Sequence, residues 1–249
     1  MFRWWHGCLG RAALRTFRGM NITTLKPKVP IAPVGLSRTT RLALAAVAAL
    51  GPACMAGWAL TSSYAVADSI PTSAAKIMAD PAGAQLSVLL LFLAGLLGAA
   101  GALVVGAAVR RGAPRFGGAA AAIAFVGFVV ATYPGPVAAI SVAPAAGLDD
   151  AQVLSLIAAY DAQPLAMLAG ALFVCLPAGV LLLGIAAVLA ARRGTCPVWV
   201  AVLLMASTPV IVIGGLISAL AMGIGWLVAS VAFGAAAWVY ATAGDRTTM

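Results

Sequence analysis

The sequence predicts an all-α protein, a polytopic transmembrane bundle of six helices with both termini on the cytoplasmic side. Of the 249 residues, 63% are hydrophobic and only 8% are charged, whereas roughly a quarter of the residues in a soluble domain are charged. Long uncharged runs recur along the chain, and the basic residues fall in alternate loops between them. The chain is therefore expected to lie in a bilayer.

Five uncharged runs supply the spans, because about 20 apolar residues cross the roughly 30 Å hydrocarbon layer. The first four runs predict one helix each: Leu42–Val66, Ala84–Val109, Phe116–Ser141 and Pro164–Ala191. The fifth run, Pro197–Ala243, has 47 residues, which suits two helices and a tight turn better than one tilted crossing. Gly214-Gly215 is the first candidate for this turn, and the region Gly223–Gly225 is the alternative.

The loop charges predict the orientation, because short cytoplasmic loops are enriched in Lys and Arg. With six spans and both termini inside, all of the 15 basic residues except Lys76 are cytoplasmic. The outer side then carries Asp68, Asp80, Asp149, Asp150 and Asp161. A five-span arrangement would move only Arg246 to the outside, so the charges alone do not exclude five spans. The length of the fifth run favours six.

The predicted domain organisation has three parts. A basic segment and linker, residues 1–40, precedes the six-helix transmembrane domain, residues 41–243, and a cytoplasmic tail, residues 244–249, follows it. At the start of the chain, aromatic residues share one helical face and arginines the other, which is typical of an interfacial helix. An organelle presequence is a second interpretation. The third is that translation starts at Met20, which would make the preceding residues a start-site artefact.

Aspartates mark the expected starts of three helices. Asp149, with Gln152 three residues later, predicts a capping box and a short helix that lies on the membrane. Asp80 is directly followed by a proline and predicts the N-terminus of the second span. Asp161, shortly before Pro164, predicts the N-terminus of the fourth span in the same way.

Small residues recur every four positions on the second span, at Ala94, Gly98, Ala102 and Gly106. This spacing lets helix backbones approach closely. It favours packing within the chain over dimerisation.

The composition excludes most catalytic chemistry. Every acid is an aspartate and the only histidine is His6, so a zinc site built from several histidines or a His-assisted nucleophile has little support. The span interiors hold no ionisable residue, although proton and ion pathways usually do. Nucleotide-binding, metalloprotease and hydrolase motifs do not occur in the sequence. We therefore expect no catalytic residue, no cofactor, no metal and no nucleic-acid partner.

Two groups of residues are candidates for binding. Prolines offer helix breaks at Pro52, Pro134, Pro136, Pro177 and Pro209. The strongest is the sequence Tyr133–Pro136, whose two prolines and glycine must interrupt the helix, and Ser207-Thr208-Pro209 predicts a milder kink. Because such breaks free backbone groups that a transporter can use, residues near these two sequences could line a solute site: Tyr133, Ser141, Ser207 and Thr208. Basic juxtamembrane residues attract anionic lipid headgroups on the cytoplasmic face, and the candidates are Arg110, Arg111, Arg115, Arg192 and Arg193. The alternative roles are simple packing kinks for the first group and control of topology for the second.

The order of these features resembles a bacterial family of six-span integral membrane proteins of unknown function. The likeness rests on the loop Asp68–Ala79 and on the segment Tyr160–Leu204, which contains Arg192-Arg193 and Pro197. It covers residues 41–243. The resemblance implies the six-span fold and supplies no activity, cofactor or catalytic residue.

The sequence thus predicts a multi-pass protein of the plasma membrane that acts as a non-enzymatic accessory or structural component. One alternative is a small permease for a neutral or apolar solute, with a cavity that reaches mid-membrane. Another is a lipid-modifying enzyme that uses Asp149, Asp150 and Asp161. The expected partners are the bilayer and its anionic headgroups, and a protein partner or a homo-oligomer stays open.

Overall fold

The computed structural model describes residues 37–64, 68–133 and 135–242. The predicted interfacial helix, the alternative start at Met20 and the predicted cytoplasmic tail lie outside these residues. Within them the regular structure is helical, and no strand is present.

Ten helices follow one another in the described part of the chain. They are α1 (Arg38–Thr61), α2 (Ile70–Ala79), α3 (Pro81–Arg110), α4 (Pro114–Ala131), α5 (Val137–Val142), α6 (Asp150–Asp161), α7 (Pro164–Phe173), α8 (Cys175–Arg192), α9 (Val198–Ile217) and α10 (Ala219–Thr242). Six stretches are long and apolar enough to cross a membrane: α1, α3, α4, α7 together with α8, α9 and α10. The predicted all-α bundle of six spans is confirmed, and the chain has the architecture of a multi-pass membrane protein.

Two of the three predicted helix starts are confirmed. The Asp80 carboxylate accepts a hydrogen bond from the Gly83 N–H at 3.0 Å and caps α3. Asp149 forms the capping box of α6 with Gln152. The prediction for Asp161 is wrong, because α6 continues through this residue and its backbone is helical. The N-cap position of α7 falls instead on Gln163, whose backbone is extended and whose side chain makes no capping hydrogen bond.

The fourth span consists of two helices, α7 and α8, that meet at Val174. Pro177 lacks an N–H, and its ring excludes a hydrogen bond to the carbonyl of Phe173 four residues earlier, so the regular helix is interrupted one turn before the proline. None of the residues of α7 is buried. Pro52 and Pro209, also considered as breaks, lie inside continuous helices.

The third span ends earlier than predicted. Helix α4 stops at Ala131, and the short helix α5 begins at Val137. The expected interruption by the prolines and glycine of this segment is confirmed, and Gly135 has a positive φ of 60°, a conformation in which glycine is not strained.

Ser218 separates α9 from α10, so the turns predicted at Gly214-Gly215 and at Gly223–Gly225 are both wrong. Its extended backbone donates its N–H to the Gly214 carbonyl at 2.8 Å. Its hydroxyl oxygen accepts the Ala221 N–H at 3.1 Å. Ser218 therefore ends α9 and caps α10. Serine is one of the residues most favoured at an N-cap.

The glycines predicted to form the turn serve close packing between α9 and α10. A Cβ on Gly225 would lie 2.7 Å from the backbone nitrogen of Ile211, and a Cβ on Gly214 would lie 2.7 Å from the carbonyl carbon of Ala221. Any larger residue would force the two helices apart.

The spans form a closed ring in the order α1, α3, α4, α8, α9, α10, with α10 packed back against α1. Small residues bring the helices together, and Ala94, Gly98, Ala102 and Gly106 on α3 are all buried, as predicted. A Cβ on Gly98 would collide with the ring of Phe128 from α4.

Aromatic side chains fill the centre of this ring. The Phe128 ring makes edge-to-face contacts with Trp226, at 6.3 Å between centroids, and with Phe233, at 6.1 Å. Trp226 and Phe233 both belong to α10, so these contacts link helices that are not neighbours around the ring. Such pairs stabilise a structure beyond their buried area.

Candidate functional site

Charged side chains are divided between the two ends of the bundle. Helix α3 runs from Pro81, directly after its cap Asp80, to Arg110, and its 30 residues extend over about 45 Å. We call these ends the acidic end and the basic end. Among the described residues, the acidic end carries Asp68, Asp80, Asp149, Asp150, Asp161 and Lys76, and the basic end carries Arg38, Arg41, Arg110, Arg111, Arg115, Arg192 and Arg193.

At the basic end, two of the five lipid-binding candidates hold loops together. The Arg193 guanidinium donates to the Gly112 carbonyl and joins the α8–α9 connection to the α3–α4 connection. The Arg111 guanidinium donates to the Tyr240 carbonyl at 3.4 Å and lies 4.7 Å from the centroid of its ring. This cation–π contact ties the same loop to the end of α10.

The other three candidates are exposed at the same end. Arg110, Arg115 and Arg192 have no hydrogen-bond or ion-pair partner within the described ranges. The Arg110 side chain lies along the start of α4, where its Nε would be 3.7 Å from a Cβ on Gly118. Gly118 is one helical turn after Arg115, so the Arg110 side chain lies on the same turn of α4 as Arg115. The structure thus brings the five predicted arginines to one end but gives them two different roles.

At the acidic end, the loop helices α2, α5 and α6 form a small layer over the bundle. They share a core with the start of α3, made by Ala74, Ile77, Ala84, Ile140, Ala143, Val153 and Ile157. Lys76 forms a salt bridge with Asp68 at 2.8 Å between Nζ and Oδ2. The sequence did not indicate that these separate loops share a core.

Tyr133, one of the predicted solute-lining residues, lies against this layer. Its ring stacks on that of Tyr160 with centroids 6.0 Å apart and an angle of 21° between the planes. Burial raises the pKa of the Tyr160 hydroxyl, and the neighbouring Tyr133 and Asp161 raise it further. The stack joins the end of the third span to the end of α6.

Ser141 lines a groove of about 490 Å³ between α3 and α5. Its apolar lining consists of Val88, Leu89, Phe92, Ala138 and Val142, and its polar lining consists of Gln85, Thr132 and Ser141. No lining residue is charged. The sequence pointed to Ser141, but it did not indicate Gln85 or Thr132, because the groove depends on where α4 ends.

A second cavity, of about 240 Å³, lies within the acidic-end layer. Asp68 and Asp161 line it together with Tyr64 and Ser73. Burial raises the pKa of the Tyr64 hydroxyl. Of the aspartates considered for lipid chemistry, Asp161 therefore lines a cavity, whereas Asp149 is occupied as a helix cap and Asp150 lies in the first turn of α6.

Ser207 and Thr208 are buried in α9, apart from these cavities. The Ser207 hydroxyl donates to the Leu204 carbonyl at 2.9 Å. The Thr208 hydroxyl has no hydrogen-bond partner within the described residues. Helix α9 packs mainly on α8 and α10, whereas α5 packs on α2 and α3. The structure therefore does not gather the four predicted solute-lining residues around one cavity.

No group of three or more His, Cys or Asp side chains in the described part of the chain is arranged to hold a metal ion. Comparison of the whole chain with models of protein families, with curated proteins and with solved structures gives no match. The resemblance to a six-span family stays a prediction.

Proposed function

We propose that the protein is a non-enzymatic accessory or structural component of the plasma membrane, with both termini in the cytoplasm. The filled centre of the helix ring is the observation that carries this proposal. Phe128, Trp226 and Phe233 interlock there, and none is more than 3% exposed. A permease needs a route through its bundle, and interlocked aromatic rings occupy the place where that route would run.

The charge distribution supports the proposed orientation. The described part of the basic end carries seven arginines, and the acidic end carries five aspartates and one lysine. Cytoplasmic loops are the ones enriched in Lys and Arg. The basic end, where α1 begins and α10 finishes, is therefore proposed to face the cytoplasm.

Anionic lipid headgroups are the proposed partners of this end. Each basic residue near the cytoplasmic surface attracts anionic lipid by about 1 kcal/mol. Arg110, Arg115 and Arg192 are available for such contacts because their guanidinium groups have no partner among the described residues.

A solute-flux measurement tests the non-transport proposal. Vesicles containing the full chain are mixed with hyperosmotic glycerol or urea, and their volume is followed by light scattering. We expect rates equal to those of protein-free vesicles, while vesicles with a known glycerol channel serve as the positive control. A faster rate with the wild-type chain would contradict the proposal.

Cysteine accessibility tests the orientation. In a variant without native cysteines, a cysteine placed after Ala243 should be protected from an impermeant reagent applied to intact cells. Asp150→Cys, at the acidic end, should react. The opposite result at either position would show that the orientation is wrong.

Native mass spectrometry in mixed lipids tests the lipid partner. Replacing Arg110, Arg115 and Arg192 together by Gln should lower the retention of phosphatidylglycerol relative to phosphatidylcholine. The matched control replaces the same three residues by Lys, which keeps the charge and should keep retention. Unchanged retention in the Gln variant, with topology preserved, would refute lipid capture by these arginines.

A further inference from the structure

The groove between α3 and α5 results from the unequal lengths of neighbouring spans. Helix α4 stops at Ala131, and the following Thr132 lies beside Gly95 of α3, where an added Cβ would touch it. The first turns of α3, which begins at Pro81, therefore extend beyond α4. The six-residue helix α5 covers only part of this exposed stretch.

The groove is open to lipid along its apolar side. Leu89, Phe92 and Val142 line it, and they are 52%, 45% and 50% exposed. Leu89 and Phe92 belong to a membrane span. The medium that reaches them is consequently the bilayer, in which apolar side chains need no protein cover.

The length of α3 indicates how deep the polar side of the groove lies. When α3, about 45 Å long, is centred in the roughly 30 Å hydrocarbon layer, its first turns extend into the headgroup region. Gln85 lies in these turns, and Phe92 is seven residues deeper, about 10 Å along the axis. A lipid placed in the groove would have its polar group near Gln85 and its chain along Phe92.

The polar lining favours a ligand that donates a hydrogen bond. The Thr132 hydroxyl donates to the Val129 carbonyl at 2.6 Å, and the Ser141 hydroxyl donates to the Ala138 carbonyl at 2.9 Å. Both oxygens keep lone pairs that can accept. The Gln85 amide can donate and accept. A ligand hydroxyl can therefore donate its one proton to any of the three groups, whereas an ester oxygen, which only accepts, can pair with the Gln85 amide alone.

We propose that this groove binds one neutral lipid with a free hydroxyl group, such as a diacylglycerol. The hydroxyl bonds to the polar lining, and an acyl chain lies against Leu89 and Phe92. The volume of about 490 Å³ falls within the range of roughly 300–1,000 Å³ typical of small-molecule sites. A charged phospholipid headgroup would find no opposite charge among the lining residues.

Photolabelling of the full chain in phosphatidylcholine nanodiscs tests this proposal, with a diazirine-bearing diacylglycerol as the probe. We expect labelled peptides from the first turns of α3 and from α5. Dioleoylglycerol should compete, and its acetylated analogue, which lacks the free hydroxyl, should compete about fivefold less well, as expected for one lost hydrogen bond. Equal competition by the acetylated analogue or by phosphatidylcholine would overturn the proposal.

Two tryptophan variants on α3 provide a matched comparison. Leu89 lies in the groove and Leu103 lies outside it, and both side chains are 52% exposed. Leu89→Trp should fill the groove and reduce labelling about tenfold or more, the ratio that corresponds to 1.4 kcal/mol. Leu103→Trp should leave labelling unchanged. Thermal unfolding of both variants verifies that they fold, and equal labelling in the two folded variants would overturn the proposal.

Discussion

The Arg193 guanidinium donates a hydrogen bond to the Gly112 carbonyl, although 81 residues separate the two in the chain. The contact joins the α3–α4 and α8–α9 connections at the basic end. Five arginines lie in these connections or in the helix turns beside them: Arg110, Arg111, Arg115, Arg192 and Arg193. An arginine that forms such a link is expected to contribute to the stability of the fold, whereas the arginines without a link are the ones proposed above to bind lipid.

Arg193→Gln should lower the free energy of unfolding by about 1 kcal/mol, a typical net contribution of a hydrogen bond. Arg192→Gln is the matched control, because its guanidinium has no partner among the described residues and should leave stability unchanged. Thermal unfolding in detergent measures both. Equal stability of the two variants would show that the link to Gly112 contributes nothing.

Gly179→Ala should destabilise the bundle by about 1–3 kcal/mol, the usual cost of overpacking. A Cβ on Gly179 would overlap with the backbone of Ala124 and lie 2.8 Å from its Cβ, so α4 and α8 would have to separate. Gly170→Ala is the control, since nothing lies within 4 Å of its added Cβ. It should be neutral or stabilising. Denaturant titration of the two variants compares them, and similar midpoints would contradict the predicted close contact.

Ser218→Ala should cost about 1 kcal/mol, because the capping bond to the Ala221 N–H is lost. Ser218→Asn retains an acceptor at the same position and should restore most of the stability. Hydrogen exchange at the first turn of α10 gives a local measurement: faster exchange is expected for the alanine variant alone. If the asparagine variant exchanges equally fast, capping is not the reason.

Tyr160 should ionise above the ordinary tyrosine pKa of 10.0, because its burial and its neighbours Tyr133 and Asp161 disfavour the phenolate. The folded state then binds the Tyr160 proton more tightly than the unfolded state does, so this group should lower stability as the pH rises above about 10. Absorbance at the tyrosinate band measures ionisation. In the Tyr160→Phe variant, the tyrosinate absorbance that appears at the highest pH values of the titration should be missing. A loss of the absorbance that appears at lower pH would contradict the prediction.

Local features of the sequence determined much of the fold. The lengths of the uncharged runs predicted six spans because the bilayer sets the length of a crossing. Asp80 and Asp149 were recognised as helix caps because a capping bond joins residues only three positions apart. The break before Val137 followed from the prolines that precede it.

The same local patterns were not sufficient where two distant segments meet. Gly214 was expected to turn the chain, but it provides close contact with α10, and Ser218 makes the turn. Glycine permits both a turn and a close approach, so its role depends on what lies opposite. Arg111 and Arg110 are adjacent and chemically identical, yet only the position of Tyr240 makes the first a link between elements.

The centre of the ring and the groove were decided by tertiary structure alone. Phe128 and Phe233 are ordinary apolar residues in two different spans, and they meet because the six helices close into a ring. Gln85 and Ser141 share a groove because α4 ends before it covers the start of α3. Run length and charge act along the chain and can be read from it, whereas these contacts depend on how the helices are arranged around one another.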